Sequence, residues 1–534
     1  MNPPGRDVLK IYGAPGTGKT TRLLQEIETS GIPLDSVGFV SFTNAAVNEA
    51  KRRVSNGKID EEGFEPALPY FATQHSMNCR LLGIRGPQIA DKKLRDFCEK
   101  KKVSLTDAMI GDRKETDELL LPSREDTIDD QFYAEMQSER VACLPRDTIP
   151  PRFRHSAALY LQFKRKYFEW MEENDLIDFI GMIERGIAHH ILPPVQLLCV
   201  DEWQDLSPLQ VKQIVFWSDH VPRSVHAGDD DQCIYEWAGA RSADFLSFPS
   251  TREEVLGQTW RLPKNVLVLA SDFIRRNNRR KQKTIVSEKE DGIIALKSLD
   301  FICDFIQARL KNETVKFLVR NQFVGQKLAE DLRSRGVPLF VKHSLLAAVH
   351  LMATAHEKGI LAPEDILIIT SGSLFPATLY FDRGSKKKVS RLLSIPAEAA
   401  PEGYSFAELV GLGMKERFFT DLKNNDWSHL HAEPEELAYT ARLYQRWGLN
   451  FHTARVSTIH QAKGTEADTV VVCFDVAPIV ERDLAHDPAK QEAENRVWYT
   501  AITRPKKNLL FLDEPYRYSK TISNFYSYVR AFLT

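Results

Sequence analysis

The strongest constraint on this fold lies in two short polar stretches, each set directly after an apolar run. Residues 8–12 lead into Gly13, Ala14, Pro15, Gly16, Thr17, Gly18, Lys19, Thr20 and Thr21. Residues 195–200 lead into Asp201, Glu202, Trp203, Gln204 and Asp205. The first stretch fits G-x-x-x-x-G-K-[ST], a loop whose backbone N–H groups and lysine cradle the β- and γ-phosphates of a nucleotide. Such a loop needs a strand before it and a helix N-terminus after it. The Thr20 hydroxyl would ligate Mg²⁺. The second stretch places an acidic pair at the end of a buried strand, where α/β sheets bind ligands. Asp201 can hold the Mg²⁺, and Glu202 can orient or deprotonate an attacking water. Either stretch alone says only that the chain hydrolyses an NTP. Together they imply that hydrolysis drives further work.

A chain of 534 residues has room for several domains and a large core. Its 43% hydrophobic and 27% charged content is that of a soluble globular protein. No run approaches the roughly 18 apolar residues of a membrane helix, so no membrane partner is expected. The opening residues MNPPGRDVLK hold no apolar core of a signal peptide. Seven cysteines, odd in number and without C-x-x-C pairs, argue against a disulfide framework or a zinc site. They read as reduced thiols, and the expected compartment is the cytoplasm, or a host cytoplasm for a viral gene. The formal net charge is −2, so any track for nucleic acid must be local. The densest basic clusters are Lys51 to Arg53, residues 275–283 and Lys386 to Lys388. Each reads as a solvated face.

Strand-like runs at 8–12, 37–42, 195–200 and 224–227 alternate with helical patterns such as 20–29 and 45–54. That alternation predicts a parallel sheet with helices on both faces. A second alternating region follows Arg261, with runs at 315–320, 454–458, 469–474 and 508–512. Two regions interrupt these sheets. Residues 85–190 are charged and helix-rich, with an acidic stretch at 111–130 expected to be mobile. Residues 345–450 are mixed, with turns near Pro396 and Pro401.

Further motifs stand in a fixed order. They are Phe42-Thr43-Asn44-Ala45-Ala46, Thr73-Gln74-His75-Ser76, the run from Gly228 through Gln232, Tyr235 and Trp237 to Gly239, and Gln258-Thr259-Trp260-Arg261. The last two run from Val456 through Thr458, His460 and Lys463 to Glu466, and from Tyr499 to Arg504. In this order they resemble the superfamily 1 DNA helicases of the UvrD/PcrA/Rep group. That group reads F-T-N-x-A-A, T-F-H-S, D-E-x-Q-D, G-D-x-x-Q-S-I-Y-x-W-R-G-A, N-Y-R-S, T-x-H-x-A-K-G-L-E and Y-V-A-x-T-R-A. The resemblance spans residue 11 to about 512, nearly the whole chain.

The resemblance implies two RecA-like parallel-sheet domains with the nucleotide between them, each carrying an inserted helical or mixed subdomain. The expected division is 1–84 with 191–265, an insertion at 85–190, a second domain at 266–344 with 451–534, and an insertion at 345–450. It implies ATP and Mg²⁺ as cofactors, with the phosphate loop from Gly13 to Thr21 around the nucleotide. Gln232 matches a γ-phosphate sensor. Arg261 and Arg504 match arginines that reach the γ-phosphate and stabilise charge developing in phosphoryl transfer. Glu466 matches a ribose contact, and Trp260 stands where an aromatic stacks on adenine. On the DNA side, Phe42, Tyr235 and Trp237 match aromatics that pocket successive bases. Thr43, Asn44, His75, Thr458 and His460 match backbone contacts. Stacking plus phosphate contacts would hold single strands of any sequence.

Several positions depart from the pattern. The family's glutamine-bearing stretch before the phosphate loop has no counterpart, so a loose choice between ATP and GTP is expected. Ala238 replaces the arginine of W-R-G-A, and Thr465 and Ala467 soften the A-K-G-L-E-F turn. Asp178-Phe179 matches only part of D-F-D-D-L, because Ile180 breaks the acidic pair, and it reads as packing. The expectation is an ATP-dependent translocase and helicase, moving 3′ to 5′ on single-stranded DNA and opening tailed duplexes, in repair or replication. Its rivals are a translocase that strips proteins from single strands, and an NTP-gated binding module.

Overall fold

The computed structural model describes residues 6–56, 67–110, 127–339, 343–371, 373–394, 401–449, 451–476, 480, 484, 487–513 and 524–533. Most of the acidic stretch at 111–130, and the turn at Pro396, lie outside these residues. The chain forms two compact units, 1–292 with 482–504, and 293–481 with 505–534.

The first unit is built on β1 (Asp7–Gly13), β2 (Val37–Val40), β3 (Phe71–Ala72), β4 (Leu197–Val200), β5 (Arg223–Gly228) and β6 (Arg252–Leu256). They form one sheet in the order β3-β2-β4-β5-β1-β6, and every pairing is parallel. Parallel strands covered by helices are buried on both faces, which is why β2 and β4 read as unbroken apolar runs. The core on one face joins Leu9, Ile11, Leu23, Ile27, Phe39 and Val225. On the other face Val8, Tyr12, Leu198, Trp203, Trp217 and Phe245 pack together. Two short strands, β7 (Gln258–Thr259) and β8 (Val286–Ser287), pair beside it.

Within 85–190 the described residues are helical, chiefly Leu94–Lys101, Ile128–Val141, Ala157–Glu173 and Phe179–Ala188. They close over an aromatic core of Phe97, Phe132, Tyr160, Phe163, Tyr167 and Trp170. Asp178 caps the last helix by accepting from Gly181 N at 2.7 Å, and pairs with the buried guanidinium of Arg140. Its role is structural, as the broken acidic pair suggested.

The second unit carries β9 (Ile294–Lys297), β10 (Val315–Val319), β11 (Ile360–Leu361), β12 (Tyr404–Ser405), β13 (Arg455–Thr458), β14 (Ala467–Val472) and β15 (Pro505–Leu512). Five of them form a second parallel sheet, β13-β10-β14-β15-β9. The region 345–450 adds a separate helical core around Val349, Met352, Ile369, Tyr380 and Phe418, with β11 and β12 as a small antiparallel pair.

The helices Lys264–Ile274 and Pro488–Ile502 belong to the first compact unit. Asn495 Nδ2 donates to Asn277 Oδ1 at 2.8 Å, and Asn277 Nδ2 to Glu492 O at 2.9 Å. Arg504 therefore sits in the unit that holds the phosphate loop. Of the basic clusters, Lys387 and Lys388 lie on an exposed face as expected, while individual members of the other two do not. Lys51, Arg280 and Lys283 are largely withdrawn from water, the last two against aspartates of the first unit. All seven cysteines are free thiols. Among the described residues no helix is long and apolar enough to cross a membrane.

Candidate nucleotide site and nucleic-acid interface

β4, β5 and β1 are neighbours in the first sheet, so the loops after them share one edge. β1 runs into the phosphate loop. Gly16 and Gly18 take φ of +74° and +85°, and a Cβ on Gly16 would fall 2.3 Å from Arg261 Cβ. Glycine answers both the dihedral and the close approach. Thr17 Oγ1 closes the turn by donating to Ala14 O at 2.9 Å. Lys19 opens the helix Lys19–Ser30, and its Nζ donates to Gly13 O at 3.0 Å. The ammonium thus lies folded over a loop and helix N-terminus of the kind that binds phosphate. Thr21 follows on the exposed side of the same turn.

β4 delivers Asp201, whose Oδ2 accepts from Thr20 Oγ1 at 2.5 Å. Two hard oxygen donors meeting from separate elements are a donor set suited to Mg²⁺. Burial, and then the Glu202 carboxylate, raise the Asp201 pKa to about 6. A divalent cation would relieve both effects, so these residues fit the ion. Glu202 adopts φ +52°, a left-handed conformation uncommon outside glycine and favoured at functional turns.

From Glu202 a chain of hydrogen bonds crosses the sheet edge. Gln204 Nε2 donates to Glu202 Oε2 at 2.7 Å. Gln204 Oε1 accepts from the backbone N–H of Asp229, just past β5, at 2.8 Å. Gln232 Nε2 donates to Asp229 Oδ2 at 2.7 Å. Arg504 Nη2 donates to Gln232 Oε1 at 2.7 Å, and its Nε to Thr500 O at 2.8 Å. Burial, and then the Arg261 charge, pull the Arg504 pKa down to about 9, which leaves it a cation at neutral pH.

The segment carrying Trp260 and Arg261 lies directly on the phosphate loop. Thr259 Oγ1 donates to Pro15 O at 2.8 Å, and Trp260 N to Gly16 O at 2.9 Å. Trp260 is 67% exposed.

Three residues beyond Gln232, the Tyr235 ring stacks on Phe42 with centroids 5.4 Å apart and planes at 19°. Trp237 meets Tyr235 edge-on at 6.3 Å and is half-buried. Thr43 caps the helix Asn44–Val54 by accepting from Ala46 N, and Asn44 is exposed at its start. His75, in the first turn of Gln74–Leu81, packs edge-on against Phe179 at 5.7 Å. Thr458, His460 and Glu466 belong to the second unit. Thr458 ends β13, where its Oγ1 accepts from Gln461 N at 3.2 Å. His460 is half-buried in the turn that follows, and Glu466 pairs with Lys506 at 3.3 Å.

The first unit therefore gathers every site residue predicted from sequence except those three. Sequence reasoning missed Gln204, Asp229, Lys283 and Arg280 as parts of the site. The signal was present, since three aspartates beside an apolar strand need cations, and the run 275–283 is rich in them.

A phosphate loop on β1 and an acidic pair on β4 of a parallel sheet define a P-loop NTPase with RecA-like α/β domains. The comparisons narrow this class. The family model for the UvrD/REP helicase N-terminal domain matches residues 2–253, and that for the UvrD-like helicase C-terminal domain matches 443–513. The chain belongs to the UvrD-like superfamily 1 helicases. It is 26% identical over 304 residues to a Mycoplasma capricolum protein named as a DNA helicase II homologue, covering 53% of this chain and 41% of that one. A Bacillus subtilis protein named as the ATP-dependent DNA helicase YjcD is 23% identical over 606 residues, covering 96% and 78%. The ATP-dependent DNA helicase PcrA of Staphylococcus epidermidis is 25% identical over 346 residues, covering 60% and 45%. The chain thus spans under half the length of two of these three relatives.

Proposed function

We propose that the protein is an ATP-dependent DNA helicase and translocase that moves 3′ to 5′ along single-stranded DNA. In this reading Lys19 and the loop from Gly13 to Thr21 hold the triphosphate, and Thr20 and Asp201 hold Mg²⁺. Glu202 orients or deprotonates the attacking water. Gln232, Arg261 and Arg504 stabilise the charge that develops on the transferred phosphoryl group. Trp260 stacks on the base and Glu466 contacts the ribose. Phe42, Tyr235 and Trp237 hold bases by stacking, while Thr43, Asn44, His75, Thr458 and His460 contact the backbone. Residues 85–190 and 345–450 are the insertions of the two RecA-like domains.

One observation carries the reading. The short segment after β5 holds Gln232 in the hydrogen-bond chain with Glu202 and Arg504, and three residues later holds Tyr235 against Phe42. In this reading phosphate chemistry and base stacking share one stretch of backbone, as a motor coupled to DNA requires. The test is single-turnover unwinding of duplexes with a 3′ tail, a 5′ tail or blunt ends, with ATP and Mg²⁺. Opening of the 3′-tailed duplex is expected. A clear preference for 5′ tails would overturn the polarity, and no opening of any duplex would leave at most a translocase.

A further inference from the structure

Asp229, Asp230 and Asp231 stand immediately before Gln232, and none exposes any surface. Adjacent carboxylates out of water repel one another, so a fold keeps them only with cations in contact. Lys283 Nζ lies 2.7 Å from Asp229 Oδ1, 2.6 Å from Asp230 Oδ1 and 2.9 Å from Asp231 Oδ2. The three protons of one ammonium are thus shared among three carboxylates. Arg280 adds a two-pronged contact to Asp231 at 2.9 and 2.6 Å, and the backbone N–H of Lys281 donates to Asp230 Oδ2 at 2.8 Å.

The division of Asp229 is the consequential part. Its Oδ1 is taken by Lys283, which leaves Oδ2 for Gln232 Nε2 at 2.7 Å. That bond fixes the sense of the Gln232 amide. The nitrogen faces Asp229, and the oxygen is left to accept Arg504 Nη2 at 2.7 Å. A flipped amide would set its oxygen against a carboxylate and its nitrogen against a guanidinium, two donor–donor or acceptor–acceptor clashes. Burial opposes the charge on Asp229, while Lys283 and then Lys19 hold its pKa below the usual carboxylate value.

We infer that Lys283 is a positioning residue for the hydrolytic site: through Asp229 it sets the orientation of the Gln232 amide against Arg504. The inference rests on the ATPase reading above. Lys283→Met should lower kcat for DNA-stimulated ATP hydrolysis at least tenfold and change KM for ATP by less than threefold. In a Gln232→Ala background the same substitution should lower kcat by less than twofold, because the side chain it orients is gone. A residue that matters only for folding would give equal losses in both backgrounds. Lys283→Met leaves three buried carboxylates short of a cation, so a charge-balanced variant, Lys283→Met with Asp230→Asn, is measured beside it. Circular dichroism melts set an assay temperature at which the variants are folded. The expected result is the same kcat loss in the balanced variant and the same silence in the Gln232→Ala background. Equal losses in both backgrounds, or wild-type kcat in the folded balanced variant, would overturn the positioning role while leaving the ATPase reading intact. A wild-type chain that hydrolyses no ATP with single-stranded DNA present would defeat both.

Discussion

The two parallel sheets of this molecule are alike in architecture and opposite in what they do with their strand ends. In the first, β1, β4 and β5 lead into Lys19, Asp201 and the run Asp229–Gln232, all buried and polar. In the second, β14 leads into Cys473 and Phe474, which are buried and apolar, and β10 leads into Asn321, a helix cap that accepts from Val324 N at 3.0 Å. Burying charge is tolerated only where partners satisfy it. The first sheet gathers a cluster of such charges at one edge, whereas after β14 the second buries one, Asp475. The shared fold therefore does not locate the chemistry; the satisfied, buried charges do.

Substitutions can break or sharpen this contrast. The largest effect is expected at the first sheet's edge. Arg504→Ala should lower kcat by about 10³-fold, the low end of what arginines stabilising phosphoryl transfer contribute. Glu202→Gln should lower it by about 10²-fold or more with ATP and DNA binding nearly intact, as loss of a general base does. Steady-state ATPase assays with nucleotide-binding titrations check both, and a Glu202→Gln variant at near wild-type rate would unseat the site. Next comes Trp237→Ala. It should weaken single-stranded DNA binding by about 1–3 kcal/mol, read by anisotropy titration, and uncouple hydrolysis from movement. At the second sheet, Asn321→Ala should cost about 1 kcal/mol of stability through the lost cap and leave kcat per folded molecule unchanged. A tenfold fall in kcat there would dissolve the contrast between the sheets.

A further effect is a pH dependence inside the first sheet. Burial, and then the Lys10 charge, lower the pKa of His226 on β5 to about 3. The unfolded chain takes up this proton near pH 6.5 and the native chain does not. The stability linked to His226 is therefore complete above about pH 6.5 and falls as pH drops toward 3, by about 1.4 kcal/mol per pH unit. Denaturant melts from pH 7 to 4 should show a slope shallower by one proton in His226→Gln. An unchanged slope would mean that His226 is protonated in the native state.

Much of this was legible in the sequence because its signals are local. The runs at 8–12, 37–42, 195–200 and 224–227 all became strands of one sheet, since strands buried on both faces read as largely apolar runs, broken here by the buried Lys10, Ser224 and His226. β6 was not legible. It is an edge strand of sequence REEVL with mostly exposed side chains, so no apolar run marks it. β3 is two residues long and too short to show a period. The phosphate loop and the acidic pair declared themselves because their chemistry needs fixed residues at fixed spacing. Lys283 did not, because a single cation finds its aspartates through the tertiary fold, far from them in the chain. The same holds for Arg504, which sequence alternation grouped with the second sheet and whose packing groups it with the first.

The central claim is that buried charge at the first sheet's edge hydrolyses ATP in response to DNA. The direct measurement is steady-state ATP hydrolysis with and without single-stranded DNA, over several sequences and salt concentrations. The account predicts a steep rise with single strands of any sequence, falling as salt increases, because phosphate contacts release counterions. A hydrolysis rate indifferent to DNA would contradict it.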